Sequence, residues 1–454
     1  MANTYLSRTP ATVGNQKTFT TSVWVKRATG TIANGDFDSS NYIISYVAQS
    51  GSPAPRGAIW LSETGILAWG CNPSGSVWEP ESNVQVNGTN VLFRDPSAWY
   101  HIVFAVDTTQ ATESNRLKCW VNGVQYSMSA YPAQNLDTGY NYTHIHNIGR
   151  YASGGTGYSS FLMSHFHQID GTAYDASAFG EFDATTGIWK PKTAPSVTYG
   201  TNGFFLKFEN SANMDLDSSP NNLTFSTSGN LTQTVDTPSN VFATLNPLWN
   251  PNASITLSNG NLTQTVSGDF RSSATTLGAS QGKWYAEYKA TDVENFSVGI
   301  TPLSGVFLNT TSNVIGQAGN GWGLIDNWGT VSYYYNTAST NTAITLSNGD
   351  IIMIAMDLDN SKVFFGKNGT WLDSGDPANG TNPAFSNVSS DDPIGFAVSC
   401  ENANGSFNFG NGYFGTTAVS SATTDESGLG IFEYTVPSGY YALCTKNINE
   451  QEYD

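Results

Sequence analysis

An Asn-Gly pair between two short alternating segments is the feature that most restricts the fold of this chain. In Leu117 to Tyr126 (LKCWVNGVQY), Asn122 and Gly123 separate two runs in which apolar side chains recur at every second position. Asn and Gly adopt the positive φ angles that a two-residue type I′ turn needs, and such a turn joins antiparallel strands. The segment therefore predicts a β-hairpin.

Other segments and the composition also favour β structure. Phe19 to Lys26 (FTTSVWVK) alternates, Trp99 to Val106 (WYHIVFAV) is a more apolar strand, and Gly203 to Phe208 (GFFLKF) fits a closing strand. The chain has 45 Gly and 13% aromatic but only 12% charged residues, which favours strands and turns over helices. The chain has 454 residues, which is more than one β-sandwich needs. We therefore predict an all-β protein with two antiparallel β-sandwich (jelly-roll) domains in tandem.

Charge and hydropathy exclude several partners. Lys and Arg number 18 and Asp and Glu 36, so the net charge is −18. No basic stripe is available to bind nucleic acid or an anionic membrane. The sequence has no apolar run near the length of a membrane span, and Met1 to Pro10 lacks the order of a secretory signal. We expect a soluble protein made in a cytoplasm, with four cysteines as free, mostly buried thiols.

A repeated heptapeptide and a Pro-rich stretch divide the chain. Gly229 to Val235 (GNLTQTV) recurs as Gly260 to Val266, which predicts two equivalent strands flanking the interdomain connection. Residues 236–251 contain three prolines and are expected to be extended and stiff. The predicted organisation is a sandwich over 1–235, a linker over 236–251, a sandwich over 252–413 and a C-terminal extension over 414–454.

Segments of the first half resemble known families. TFTTSVWVKR from Thr18, WYHIVFAVDTT from Trp99 and NRLKCWVNGVQ from Asn115 resemble laminin G-like domains with a concanavalin-type jelly roll. Three later segments resemble tail-associated and other structural proteins of marine phages: HFHQIDGTAYDASAFGEFDATTGIWKPK from His165, YGTNGFFLKFENSANMDLDSSPNNLTF from Tyr199 and DTPSNVFATLNPL from Asp236. The resemblance covers about residues 1–248 and implies a place in a phage particle.

The second half resembles SPRY domains. Five segments keep the order seen in that family: GKWYAEY from Gly282, FSVGI from Phe296, GWGLIDNWG from Gly321, GDIIMIAMDLDNSKVFFGKNGTW from Gly349 and PIGFAVSCENANGSFNF from Pro393. In the fourth segment Ile352, Ile354 and Met356 are expected to face inward, and Asn368-Gly369 predicts a turn. Beyond it, SGYYALCTKNI from Ser438 resembles the ending of many phage structural proteins.

Signatures of catalysis are missing from the sequence. It has no P-loop, no His-Glu-x-x-His helix and no compact pair of glutamates of the glycosidase type. The protein is therefore predicted not to be an enzyme. Two His-x-His pairs, at His144 and His165, would place both rings on one strand face, but packing is favoured over a zinc site because no further ligand lies at a familiar spacing.

Four aspartates in two Asp-Leu-Asp-x-Ser stretches are candidate calcium ligands: Asp215, Asp217, Asp357 and Asp359. Asp at such positions usually caps a turn by accepting hydrogen bonds from nearby backbone N–H groups, and this is the favoured interpretation. A bound Ca²⁺ is the alternative, because the ion prefers oxygen ligands and laminin G-like domains often bind it. No other cofactor is expected.

An aromatic cluster in the second half is the candidate binding site. Asp326, Asn327 and Trp328 are predicted to lie on a loop of the SPRY-like sandwich, where they contact another protein or a host surface glycan. Of three consecutive tyrosines, either Tyr334 or its two neighbours face outward. Trp322 is predicted to pack in the core.

These observations together predict a non-enzymatic virion structural protein of a bacteriophage, in the tail, a fibre or another appendage. The expected partners are other virion proteins, further copies of the same chain, and a host surface glycan or receptor. The alternatives are a capsid decoration protein and a glycan-binding lectin or adhesin, with a glycoside hydrolase less favoured. The predicted location is the virion, after synthesis in the host cytoplasm.

Overall fold

Two compact units make up the chain. The computed structural model describes residues 4–28, 41–48, 54–62, 64–76, 78–151, 157–184, 187–248, 255–293, 295–304, 314–316, 321–389 and 391–452. Contacts between Cα atoms are concentrated within two parts of the chain, Met1–Gln233 and Thr234–Asp454. Both units are built from mainly antiparallel sheets, so the predicted all-β class with tandem sandwiches is confirmed.

Sixteen strands form the first unit. They are β1 Tyr5–Arg8, β2 Thr18–Arg27, β3 Asn41–Val47, β4 Arg56–Leu61, β5 Leu67–Asn72, β6 Glu81–Val86, β7 Thr89–Asn90, β8 Trp99–Asp107, β9 Leu117–Val121, β10 Val124–Met128, β11 Ile145–Ile148, β12 Phe161–Asp170, β13 Gly180–Phe182, β14 Trp189–Pro191, β15 Phe204–Leu206 and β16 Ser226–Ser228. Short 3-10 helices lie at Glu113–Asn115 and Ala176–Ala178.

The first unit encloses its core within one large sheet. The strand order is β15-β12-β2-β8-β9-β10-β6-β5-β4-β3-β11-β1-β16, with β7 paired to β6. Alternate residues of the two halves of this sheet meet in one core, for example Val23 and Phe104 from one half and Ile59 and Trp69 from the other. The sheet therefore closes into a sandwich with an apolar centre.

A second, smaller apolar cluster lies on the outer face of strands β8 and β12. Val103 and Ile169 of these strands pack against Ala176, Phe179 and Tyr199 from the segment that follows β12. That segment contains the separate hairpin formed by β13 and β14. It covers part of the outer face, which explains why β8 is apolar on both sides.

Eighteen strands and one α-helix form the second unit. They are β17 Ile255–Ser258, β18 Thr263–Val266, β19 Arg271–Ala274, β20 Lys283–Ala290, β21 Asn295–Pro302, β22 Trp322–Asn327, β23 Thr330–Tyr335, β24 Ala338–Asn341, β25 Ile351–Asp357, β26 Lys362–Lys367, β27 Thr370–Trp371, β28 Ile394–Cys400, β29 Asn404–Asn408, β30 Tyr413–Phe414, β31 Thr417–Ala418, β32 Thr423–Thr424, β33 Ile431–Phe432, β34 Tyr441–Ala442 and α1 Thr445–Glu452. A 3-10 helix lies at Leu372–Ser374.

Two sheets pack face to face in this unit. One has the order β17-β18-β29-β20-β25-β26-β27, with β34 added beside β20, and the other has the order β19-β28-β21-β22-β23-β24. The core between them includes Trp284, Phe296 and Val398. Ile352, Ile354 and Met356 of β25 also lie there, as predicted from their alternation.

The segment over 414–444 covers the outer face of the first of these sheets. Phe432 and Tyr440 of this cover pack against Tyr285, Met353 and Phe364 of the sheet. Strand β25 is consequently buried on both faces. The predicted C-terminal extension, 414–454, thus lies within the second compact unit.

Residues 236–248, expected to form part of a linker, also lie within the second unit. Phe242 packs under the cover, and Leu245 belongs to the central core. The backbone N–H of Ala243 donates a 2.9 Å hydrogen bond to the carbonyl of Leu443. The apolar side chains in this stretch explain why it packs, and Pro251 lies outside the described residues.

The two copies of the repeated heptapeptide differ in structure. The second copy contains β18, which pairs with β17 and β29. The first copy, Gly229 to Val235, follows β16 and forms no strand. The prediction of two equivalent strands is therefore wrong.

Local predictions about turns and thiols are confirmed. Val121 pairs with Val124 around Asn122 and Gly123, whose φ angles are 49° and 79°. The Asn368-Gly369 turn joins β26 to β27 with φ angles of 48° and 85°. All four cysteines are free and buried. Among the described residues no helix is long and apolar enough to cross a membrane.

Candidate functional site

The most exposed large apolar side chain of the candidate site lies at the tip of a hairpin. Strands β22 and β23 pair so that Asn327 is opposite Thr330, which leaves Trp328 and Gly329 as a two-residue turn. Their φ angles are 51° and 86°. The side chain of Trp328 is 69% exposed.

The left-handed backbone of Trp328 is unusual for so large a residue. Asn holds the corresponding position in four other two-residue turns, at Asn87, Asn122, Asn336 and Asn368. Asn tolerates positive φ because its short polar side chain bonds locally, whereas other residues lose on the order of 1–2 kcal/mol there. The turn therefore holds an exposed Trp in a strained backbone conformation.

Asp326 has a structural role in this turn. It is buried, and its carboxylate accepts a 2.7 Å hydrogen bond from the backbone N–H of Gly329. Burial raises the pKa of Asp326, and the hydrogen bond from Gly329 opposes that rise. Asn327 is exposed next to Trp328. The structure thus presents Asn327 and Trp328 at the surface and places Asp326 beneath them.

Tyr334 lies away from the tip. It pairs with Gly323, four residues from the turn, which corresponds to about 13 Å along the strand. Its neighbours Tyr333 and Tyr335 pack against the core, so Tyr334 faces away from it. Trp322 is buried and stacks on Tyr335 with centroids 5.4 Å apart, which confirms the predicted packing role.

The first calcium candidates are occupied by hydrogen-bond donors. Asp217 accepts hydrogen bonds from the backbone N–H groups of Phe205, Ser219 and Leu223 at 2.9, 2.9 and 2.7 Å. Asp215 accepts a 3.0 Å hydrogen bond from the Thr227 hydroxyl. The three N–H groups occupy the oxygens of Asp217 and point their positive ends at the place a cation would take, so Asp217 does not fit Ca²⁺.

The second pair is occupied in a similar way. Asp357 lies 3.3 Å from the Lys283 ammonium and accepts a 3.0 Å hydrogen bond from the backbone N–H of Asn360. Asp359 accepts a 2.7 Å hydrogen bond from the N–H of Gly282. Within the described ranges no three His, Cys, Asp or Glu side chains are grouped to hold a metal ion. The capping interpretation accounts for both pairs.

Histidines in the first unit take part in packing. His167 is buried, stacks on Phe205 at 3.9 Å between centroids and contacts the Tyr199 hydroxyl at 2.9 Å. His146 Nδ1 lies 2.9 Å from the carbonyl of His144, so that nitrogen carries a proton.

A buried Ser-His pair has the wrong tautomer for base catalysis. His101 Nε2 lies 2.9 Å from the Ser22 hydroxyl, and His101 Nδ1 accepts a 2.9 Å hydrogen bond from the indole N–H of Trp189. An indole can only donate, so the neutral ring must carry its proton on Nε2. Burial lowers the pKa of His101 to about 3. The ring therefore donates to Ser22 and cannot accept its proton.

Comparison with known proteins concerns the second unit. The SPRY domain family matches residues 283–412. No curated protein matches the chain. The matched range contains strands β20 to β29. These strands come from both of the large sheets of the second unit.

Three solved structures are each similar to a little over a third of the chain. The crystal structure of the TRIM65 PSpry domain has 14% identity and a TM-score of 0.29, covering 37% of this chain and 91% of that one. The SPRY domain of human HERC1 has 18% identity and a TM-score of 0.27, covering 36% and 96%. Stonustoxin has 18% identity and a TM-score of 0.28, covering 37% of this chain and 26% of stonustoxin.

The residues that match the SPRY family are those that form strands β20 to β29. The hairpin that carries Trp328 lies inside this range, whereas the cover over 414–444 lies beyond it. Residues 283–412 of this chain form a SPRY domain.

Proposed function

We propose that the chain is a non-enzymatic structural protein of a bacteriophage particle, in the tail, a fibre or another appendage. The proposal rests on the phage-like segments from His165, Tyr199 and Asp236 and on the ending from Ser438. The first unit is proposed to be a laminin G-like sandwich, since the segments that resemble this family supply strands β2, β8, β9 and β10.

We also propose that the SPRY domain binds a protein partner through the Trp328 turn, defined as residues 326–329. The single observation that carries this is the exposed Trp328, held in a left-handed backbone conformation by the hairpin. SPRY domains generally mediate protein interactions. Trp is also the residue type most often found at the energetic centre of a protein interface.

The geometry of the turn suits recognition. Gly329 and the buried Asp326 fix the backbone on either side of Trp328. A partner therefore meets a ring whose backbone support is already ordered, which reduces the entropy lost on binding. A host surface glycan is the second candidate, because Asn327 is exposed beside the ring and an aromatic face can stack on a sugar.

Mass spectrometry of purified virions tests the structural role. We expect the chain at an abundance comparable to that of other virion proteins, and immunogold labelling should place it on the tail or an appendage. Labelling spread over the capsid would favour the decoration alternative. Recovery only from the infected cytoplasm, with none in virions, would refute both.

Phage carrying Trp328→Ala tests the turn. Leu248→Ala is the matched control, because Leu248 is a 50% exposed apolar residue of the same compact unit. We expect Trp328→Ala to lower incorporation into virions or adsorption to host cells at least ten-fold at unchanged thermal stability, and Leu248→Ala to change neither. Normal incorporation and adsorption of the folded Trp328→Ala variant would rule out the turn as the binding surface.

A further inference from the structure

A wide groove lies on the first unit, far in sequence from the Trp328 turn. Its volume is about 910 Å³. Ala105 of β8, Trp120 of β9 and Gln125 of β10 form its floor, and the β13–β14 hairpin contributes Phe182 and Trp189 to one wall. This volume falls in the range of known small-molecule sites.

We propose that this groove, the Trp189 groove, binds a neutral oligosaccharide. The inference is independent of the Trp328 turn, because its residues belong to the other compact unit. Four properties carry it: a fixed aromatic wall, a floor whose backbone is fully paired, polar side chains with hydrogen-bonding capacity to spare, and charges of both signs.

The aromatic wall is held in place by specific contacts. The indole N–H of Trp189 donates to His101 Nδ1 at 2.9 Å. The ring lies across two glycines, since a Cβ on Gly123 or Gly180 would come within 2.7 or 2.5 Å of it. Phe182 stands edge-on to Trp189 at 4.9 Å between centroids and is 60% exposed. Such fixed rings suit stacking on the apolar face of a sugar.

The floor favours a ligand that is recognised by side chains. Strand β9 is flanked by β8 and β10, so its backbone groups are used within the sheet. An extended peptide binds a sheet by adding a strand to a free edge, and this floor offers none. A carbohydrate needs only the side chains that the floor presents.

The polar side chains of the groove provide both donors and acceptors. Among the described contacts, the side chains of Asn115, Lys118 and Gln125 make no hydrogen bond, so they remain able to bind hydroxyl groups. Asp107 and Asp175 by contrast already accept hydrogen bonds from Thr109 and Ser177. The ligand therefore meets amide and ammonium groups next to the aromatic wall.

The charges of the groove exclude a strongly charged ligand. Lys118 and Lys192 are balanced by Asp107, Asp175 and Glu181 along the lining. A polyanion would meet the carboxylates, and a polycation would meet the lysines. Neutral sugar residues avoid both penalties and use the same groups as hydrogen-bond partners.

Calorimetric titration of the full chain with hexasaccharides tests the proposal. The probes are hexamers of β-1,4-glucose, α-1,4-glucose, β-1,4-N-acetylglucosamine and β-1,3-glucose, with a heparin hexasaccharide as the anionic comparison. We expect at least one neutral hexamer to bind, with a change in tryptophan fluorescence, and heparin not to bind. If no neutral hexamer binds, or if heparin alone binds, the proposal is wrong.

Variants locate the binding. Phe182→Ala and Gln125→Ala change exposed side chains and are expected to weaken the neutral hexamer about ten-fold or more, a loss of about 1.4 kcal/mol. Leu92→Ala, at an exposed position outside the lining, should leave the affinity unchanged. Unchanged affinity in both groove variants, or an equal loss in Leu92→Ala, would overturn the assignment to this groove.

Discussion

The carboxylate of Glu287 accepts a 2.8 Å hydrogen bond from the backbone N–H of Tyr434, 147 residues later in the chain. Glu287 lies on β20 inside the SPRY domain, and Tyr434 lies in the cover beyond it. The same carboxylate accepts a 2.9 Å hydrogen bond from the N–H of Glu433 and further bonds from Tyr285 and Asn408. The cover is thus held to the sheet by a buried acid as well as by apolar contacts.

Burial of Glu287 predicts a pH dependence of stability. Burial raises the pKa of Glu287 from 4.5 to about 7, although the hydrogen bonds it accepts oppose the rise. The folded protein then binds a proton that the unfolded chain has lost, so stability falls as the pH increases from about 4.5 to about 7. The shift corresponds to a loss on the order of 3 kcal/mol.

Urea unfolding between pH 4.5 and 8 measures this effect, and Glu287→Gln is the comparison because it cannot titrate. We expect the stability difference, parent minus variant, to decline with rising pH, while contributions of other groups cancel. Parallel curves for the two proteins would show that Glu287 does not titrate in this range.

Phe432 is expected to be essential for the cover. It is fully buried and packs edge-to-face with Tyr285 at 4.9 Å between centroids. Phe432→Ala leaves a cavity and should lower the free energy of unfolding by about 3–5 kcal/mol. Thr424→Ala, at an exposed position of the paired strand β32, should cost less than about 0.5 kcal/mol. If Phe432→Ala lowers the free energy of unfolding as little as Thr424→Ala does, the cover contributes little to stability.

Gly88 and Gly123 have the same φ angle, so alanine substitutions at the two positions cause the same backbone strain. Any difference in stability between the two variants then reports the contact with Trp189. Gly88 and Gly123 both follow Asn in two-residue turns and both have φ of 79°. A Cβ on Gly88 meets no atom within 4 Å, whereas one on Gly123 lies 2.7 Å from Trp189. Gly88→Ala should cost about 1–2 kcal/mol. Gly123→Ala should cost about 1–3 kcal/mol more, because the ring must move.

Thermal unfolding and hexasaccharide titration of both variants check this prediction. Displacement of Trp189 should also remove oligosaccharide binding in Gly123→Ala, while Gly88→Ala binds as the parent does. Similar stability in both variants would show that the Trp189 ring adapts without cost.

The strained Trp328 predicts a variant that is more stable and less functional. Trp328→Asn creates the Asn-Gly pair that type I′ turns prefer and should raise the free energy of unfolding by about 1 kcal/mol. The reciprocal Asn87→Trp, at an exposed position with φ of 49°, should lower it by a similar amount. Chemical denaturation measures both. A loss of stability in Trp328→Asn would indicate that the ring contributes packing.

Local sequence determined the turns and the faces of individual strands. Asn122-Gly123 and Asn368-Gly369 form the turns expected of them, because positive φ is a property of the residues themselves. The inward positions of Ile352 and Ile354 follow from period-two alternation, which needs no knowledge of partners. The aspartate turns were predictable for the same reason, since Asp217 caps backbone groups near it in the chain.

Contacts between distant segments were not visible in the sequence. The cover over Met353 and Phe364 depends on residues about 70 positions later, and Trp189 reaches Gly123 from a different strand pair. The position of Trp328 at a hairpin tip could have been inferred from Asn327 and Gly329, but Tyr334 was grouped with it by sequence proximity. Four residues along a strand place Tyr334 about 13 Å away.

The heptapeptide GNLTQTV shows most directly what only the tertiary structure decided. Its second copy contains strand β18 because β17 and β29 lie on either side of it and pair with its backbone. There the Gln264 amide donates to the carbonyl of Arg271, whereas in the first copy the Gln233 amide donates to the carbonyl of Phe208. Identical residues have identical propensities, but a strand exists only where neighbouring strands satisfy its N–H and C=O groups, and those neighbours are supplied by the fold.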